Sequence, residues 1–188
     1  MKNTKYEITS ETHPTRSTLK RIRALRDFSD IKKGELGGFI ESEDNLSHEG
    51  DCWVSGNAHV FGNASVYENA VVYGDAEVSG IAKVLGNAMV YEDAHVFGNA
   101  SVYGDAMVYE NAQVSEDASV YGKAWVSGNA VVSGNAMVAG TTGVFKNAWI
   151  SGGARVTGDD LINETRTSTH GLSEITIDGI VYSLIKKQ

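Results

Sequence analysis

The stretch Val54-Ser55-Gly56-Asn57-Ala58-His59-Val60-Phe61-Gly62-Asn63-Ala64-Ser65-Val66 decides the fold. A branched aliphatic residue returns at every sixth position, from Val54 through Val144, Ile150 and Val156, which makes 18 consecutive hexads with no insertion. Four residues after each stands alanine, from Ala58 to Ala154, in 16 of the 18 hexads; Thr142 and Asp160 are the exceptions. The repeat therefore governs 18 × 6 = 108 of 188 residues, and a fixed short period on this scale marks a stacked repeat architecture.

The unit dictates its own conformation. Alanine and the following valine are two residues apart, so they share one side of a short strand. Valine favours a pleated backbone, and alanine lets neighbouring segments approach closely. The next two positions turn the chain. Where the first turn residue is not glycine, as in Glu68-Asn69, Glu92-Asp93, Glu110-Asn111, Glu116-Asp117 and Lys146-Asn147, the second is Asn or Asp. Each turn thus keeps a residue that tolerates left-handed dihedrals. A six-residue period cannot hold one face of an α-helix buried. The expectation is an all-β, single-stranded parallel β-helix of six triangular coils, three hexads to a coil, and roughly 29 Å long at ~4.8 Å per coil.

The flanking segments do not repeat. Residues 1–52 are expected to form an N-terminal cap and lead-in, 53–160 the solenoid, and 161–188 a C-terminal β-hairpin cap. The hairpin is read from Ile175-Thr176-Ile177-Asp178-Gly179-Ile180-Val181-Tyr182, two apolar strands about an Asp-Gly turn. Caps are needed because a bare coil end exposes unpaired strand edges.

The aliphatic-to-small spacing of four resembles the hexapeptide-repeat left-handed β-helix family, which implies a left-handed coil. In this chain the residue after the aliphatic is often aromatic (Phe61, Tyr67, Tyr73, Tyr91) and glycine follows one place later. A right-handed, bactofilin-like helix with six-residue faces fits the same period. The lead-in, with Leu19-Lys20-Arg21-Ile22, Gly37-Gly38-Phe39-Ile40 and Gly50-Asp51-Cys52-Trp53, resembles the YdcK-like hexapeptide-repeat β-helix proteins of bacteria and phages. That resemblance spans roughly residues 19–160 and implies architecture without an assigned activity.

Taking every eighteenth residue sorts the outward side chains onto three walls. One carries His59, Glu77, His95 and Gln113 beside Phe61, Ser79, Phe97 and Ser115. The second carries Ser65, Lys83, Ser101 and Ser119 beside Tyr67, Leu85, Tyr103 and Tyr121. The third is apolar in both columns: Val71, Met89, Met107 and Trp125 beside Tyr73, Tyr91 and Tyr109. Contiguous Met, Tyr and Trp of this kind mark interfaces, here expected to build a homo-oligomer. His59, Glu77 and His95 are metal-ligand types, yet side chains rising parallel from a flat wall do not converge on one point. No metal and no cofactor are expected.

Charge narrows the function classes. With 16 Lys+Arg against 24 Asp+Glu the net charge is −8, which argues against direct nucleic-acid binding. The basic cluster Lys20, Arg21, Arg23 and Arg26 fits a solvated strand edge better than a ligand site. A single cysteine, Cys52, excludes an internal disulfide framework. The start has no apolar signal core, no apolar run approaches a membrane span, and a cytoplasmic protein is expected.

Many hexapeptide-repeat β-helices are acyltransferases that use acetyl- or acyl-CoA, with substrate sites built by loops that interrupt the coil. These hexads have none, so no loop closes a pocket. The expected function is non-catalytic: binding a host protein through the wall and the acidic corners Glu92, Asp93, Glu110, Glu116 and Asp117. A phage-borne inhibitor of a nucleic-acid-acting or defence enzyme, such as a CRISPR nuclease, is the specific form, since an acidic rod presents phosphate-like charge. An acetyl-CoA-dependent acyltransferase and a structural scaffold are the alternatives.

Overall fold

The computed structural model describes residues 4–163 in full and, beyond them, the backbone of two strands, Ser173–Ile177 and Ile180–Leu184. The chain is an all-β parallel solenoid of stacked coils with three walls. It contains no α-helix among the described residues, only a single 3-10 turn at Glu43–Asn45.

Each hexad contributes one two-residue strand, and each strand pairs in parallel with the one 18 residues on. His59 lies over Glu77, Ser65 over Lys83 and Met89 over Met107. Every second amide donates to the next coil: His59 N–H to the Ala76 carbonyl at 3.0 Å, Phe61 N–H to Val78 at 3.1 Å, Asn63 N–H to Gly80 at 2.8 Å. Backbone polar groups inside the rod are thereby satisfied. The repeat valines and alanines fill the interior, with Val60 through Val132 all at 0% exposure.

The structure holds seven rungs on each wall, one coil more than the 18 uninterrupted hexads supply. Ile40 pairs with Val60 and Leu46 bridges to Val66, both 20 residues apart, whereas Val54 and Val72 are 18 apart. Two extra residues between Leu46 and Val54 break the period and hide the first coil. Asn45 bridges this irregular corner from the interior. Its Oδ1 accepts from the amides of Glu41 and Ser42, and its Nδ2 donates to the carbonyls of Gly62 and Ala64. At the other end Ile162 pairs with Val144, adding a last rung where Asp160 had ended the alanine series.

All eighteen corners place their first turn residue in the left-handed region, at φ between +57° and +138°. Where that residue is Glu68, Glu92, Glu110, Glu116 or Lys146, it takes the strain itself (φ +62°, +58°, +57°, +58° and +59°). The Asn or Asp that follows does not, contrary to expectation. Gly74, at φ +77°, shows the close approach: a Cβ there would lie 2.8 Å from the amide nitrogen of Glu92 one coil on.

The N-terminal segment extends one wall rather than lying loose. Strands β1 (Tyr6–Thr12) and β2 (Lys20–Ala24) are antiparallel, β2 is antiparallel to β3 (Leu36–Ile40), and β3 joins the His59–Val60 rung in parallel. Lys5, wholly buried, donates from Nζ to the Cys52 carbonyl at 2.8 Å and Sγ at 3.1 Å, and Tyr6 donates to the Leu46 carbonyl at 2.7 Å. Burial lowers the Lys5 pKa and raises that of Cys52. At the C-terminus, Ser173–Ile177 and Ile180–Leu184 pair antiparallel as a separate two-stranded sheet. The Asp178-Gly179 turn expected between them lies outside the described residues.

Candidate interaction surface

The apolar wall runs through the rungs Trp53–Val54, Val71–Val72, Met89–Val90, Met107–Val108, Trp125–Val126, Gly143–Val144 and Leu161–Ile162. The structure brings together all seven residues expected there: Val71, Tyr73, Met89, Tyr91, Met107, Tyr109 and Trp125 are each half-buried. They shield one another along the rod axis and leave their outer edges to solvent. Tyr73 stacks on Tyr91 at 4.8 Å and 2°, and Tyr91 on Tyr109 at 5.0 Å and 1°. Offset parallel stacking at the coil spacing comes directly from the in-register ladder.

Trp125 stands in the neighbouring column, in register with Met107. The next rung carries Gly143, and a Cβ there would fall 2.3 Å from the Trp125 ring. The indole leans over that glycine and stacks on Phe145 at 5.4 Å. Burial, followed by the neighbouring Tyr73 and Tyr109 and the charges of Glu92 and Glu110, pushes the Tyr91 phenol up to about 12. Tyr91, at the middle of the ladder, therefore carries no charge near neutrality.

At its N-terminal end the wall is covered. Trp53, in the same column as Val71, is buried, with Phe28 edge-on at 5.3 Å and Tyr6 at 6.3 Å. Where this cover stops, a cleft of about 390 Å³ opens, lined by Ser29, Asp30 and Ile31 of the cap and by Asp51, Trp53, Asn69 and Val71 of the coils.

The five acidic corner residues are all exposed, but they lie on two edges of the prism. Glu92, Asp93 and Glu110 follow Tyr91 and Tyr109 directly and border the apolar wall. Glu116 and Asp117 follow Ser115, on the edge between the other two walls. Several also brace the coils: Glu92 accepts from the Glu110 amide at 2.9 Å, Glu110 from the Gly128 amide, and Asp117 from the Asn99 side chain at 2.9 Å. Asp93 and Glu116 make no such bond among the described residues. One oxygen of each bracing glutamate thus serves the architecture, a role the sequence alone did not reveal.

The histidine wall carries no converging site. His59 Nε2 lies 3.1 Å from Glu77, which Arg16 also holds at 2.7 Å, while His95 stands a rung farther along. Among the described residues no group of three or more His, Cys, Asp or Glu is placed to hold a metal ion. Arg16 carried no sequence signal, because it lies 61 residues from Glu77. Of the basic cluster, Arg21 pairs with Glu11 at 2.7 Å and lies over Phe39, and Arg23 pairs with Glu7, so both are spent within the cap. No helix among the described residues is long and apolar enough to cross a membrane.

A family model of the YdcK β-solenoid repeat matches residues 100–116, which include Met107 and Tyr109 of the apolar wall. Over 36 residues the chain is 44% identical to a curated protein of Escherichia coli (strain K12) named "Uncharacterized acetyltransferase YdcK". That match covers 19% of this chain and 11% of the relative, about a tenth of its length. Over these residues the chain is similar to the YdcK β-solenoid repeat, and the register and stacking described above are those of a repeat solenoid.

Proposed function

We propose that this is a non-catalytic interaction protein that associates through its tyrosine wall, with itself and with a protein partner. One observation carries the reading: an apolar wall continuous over four rungs, bordered on one side by Asp75, Glu92, Asp93 and Glu110. A flat repeated wall offers extended contact area rather than a cleft, which suits a macromolecule. A phage-borne inhibitor is the specific form: the acidic edge would meet basic residues that normally hold nucleic acid, and the wall would supply the apolar core of the interface. No direct contact with nucleic acid or membrane is part of this reading.

The test is affinity capture from a bacterial extract with the wild-type chain and with a Tyr91→Glu/Met107→Glu variant, followed by activity assays on the captured protein. Wall-dependent capture of a nucleic-acid-acting enzyme, slowed when the chain is added, is the expected result. Equal capture by both forms, or capture of phage structural proteins alone, would move the reading to another surface or to a scaffold.

The name of the Escherichia coli relative favours a second reading, acetyl transfer. Its candidate bases are His59, engaged by Glu77, and His95 on an open wall. Micromolar binding of acetyl-CoA in calorimetry, lost in His95→Ala, would establish it over the first.

A further inference from the structure

The loop joining β1 to β2, residues 13–19, lies across the histidine wall. The His13 ring meets Phe39 edge-on at 4.8 Å and stands 5.3 Å from His59. Arg16 reaches Glu77 at 2.7 Å, and its guanidinium carbon sits 4.7 Å over the Phe61 ring. Phe39, His59 and Glu77 belong to three successive rungs, so this loop straps three coils to the cap. Its neck is closed by the His13 amide donating to the Leu19 carbonyl at 2.9 Å.

The surroundings of His13 suit an uncharged ring, with the Thr15 hydroxyl 3.3 Å from its Nδ1. The Thr15 amide donates to His13 Nδ1 at 3.3 Å, and that nitrogen can accept only while it carries no proton. His59 faces acceptors on both sides, the Asn57 carbonyl at 3.2 Å and the Glu77 carboxylate at 3.1 Å. A protonated His13 would face His59, Arg16 of its own loop and Arg21 of β2. The carboxylates nearby are already engaged, Glu77 by His59 and Arg16 and Glu11 by Arg21.

We propose that residues 13–19 form a histidine-latched strap that releases from the wall at mildly acidic pH and uncovers Phe39 and Phe61. Phe39 stands in the His59 column and Phe61 in the neighbouring one, which runs through Ser79 to Phe97, exposed already. Burial, then the charges of His59, Arg16 and Arg21, hold His13 below its ordinary 6.5. The folded strap thus binds fewer protons than the released one, and its stability is complete above about pH 6.5 and falls below it. Glu77 titrates separately. Burial opposes its ionisation, but the His59 hydrogen bond and Arg16 outweigh this and hold it below 4.5, so its ion pair is lost only in more acid solution.

Hydrogen–deuterium exchange of the whole chain at about pH 7.5 and about pH 5.5, corrected for intrinsic rates, tests this. Protection of residues 12–20 should fall about fivefold at the lower pH, while residues 95–110 stay unchanged. His13→Gln should hold the strap at both pH values, and Glu77→Gln should loosen it at both. Unchanged protection at low pH, an equal loss in His13→Gln, or loss spread evenly over the solenoid would overturn the proposal.

Discussion

The histidine and tyrosine walls share one backbone, one interior and one rung spacing, yet they meet their surroundings differently. The histidine wall is crossed by the chain's own strap, and the polar groups beneath the strap are paired: Arg16 with Glu77, and Glu77 with His59. The tyrosine wall is covered by the cap only at Trp53 and beyond that shows stacked rings and methionines to solvent. The difference lies wholly in outward residues that the repeat leaves free. Interior packing and surface character are thus written in separate columns of the same hexad, and changes to each should separate cleanly.

The largest effect should come from breaking the frame both walls share. Val108→Asp buries an unpaired carboxylate at a site of 0% exposure, which costs several kcal/mol and should abolish the cooperative unfolding transition. Met107→Glu, one residue earlier and facing out, should move the urea midpoint by less than about 1 kcal/mol equivalent. Equal losses would mean that the inside and outside columns are not independent.

A smaller effect is expected at the edge where the two walls meet. Gly74→Ala adds a Cβ at φ +77° and 2.8 Å from the Glu92 amide, and should cost about 2 kcal/mol. Gly153→Ala, with open space around it and no left-handed φ, should be nearly neutral. Thermal unfolding of the two variants side by side makes the comparison.

The smallest concerns the acidic edge. Glu92→Ala removes the carboxylate bracing the Glu110 amide and leaves a left-handed alanine, for a loss of about 1 kcal/mol, while Asp93→Ala should change little. If the acids also recognise a basic partner, Asp93→Lys should weaken that contact without touching stability, and high salt should do the same.

The sequence made the walls legible because a six-residue period with three rungs per coil fixes every outward neighbour; Met89 over Met107 needed only arithmetic. It hid what depends on long separation or on a broken period. The first coil escaped because two residues intrude before Val54, and the Arg16–Glu77 pair because nothing local connects a loop to a rung 61 residues on. The division of the acids between two edges was not expected, since the five were read as one set of corners, although the same arithmetic separates them. Their use as braces was not legible, since a glutamate in the left-handed region looks like any other exposed charge until its carboxylate is seen on the next coil.

Sedimentation velocity on the wild-type chain and on Met107→Glu/Tyr109→Glu, at high micromolar concentration, tests most directly whether the tyrosine wall is an association surface. The wild type should sediment as a multiple of its 20.1 kDa mass and the variant as a folded monomer. A wild type that stays strictly monomeric, or a variant that associates as strongly as the wild type, would contradict it.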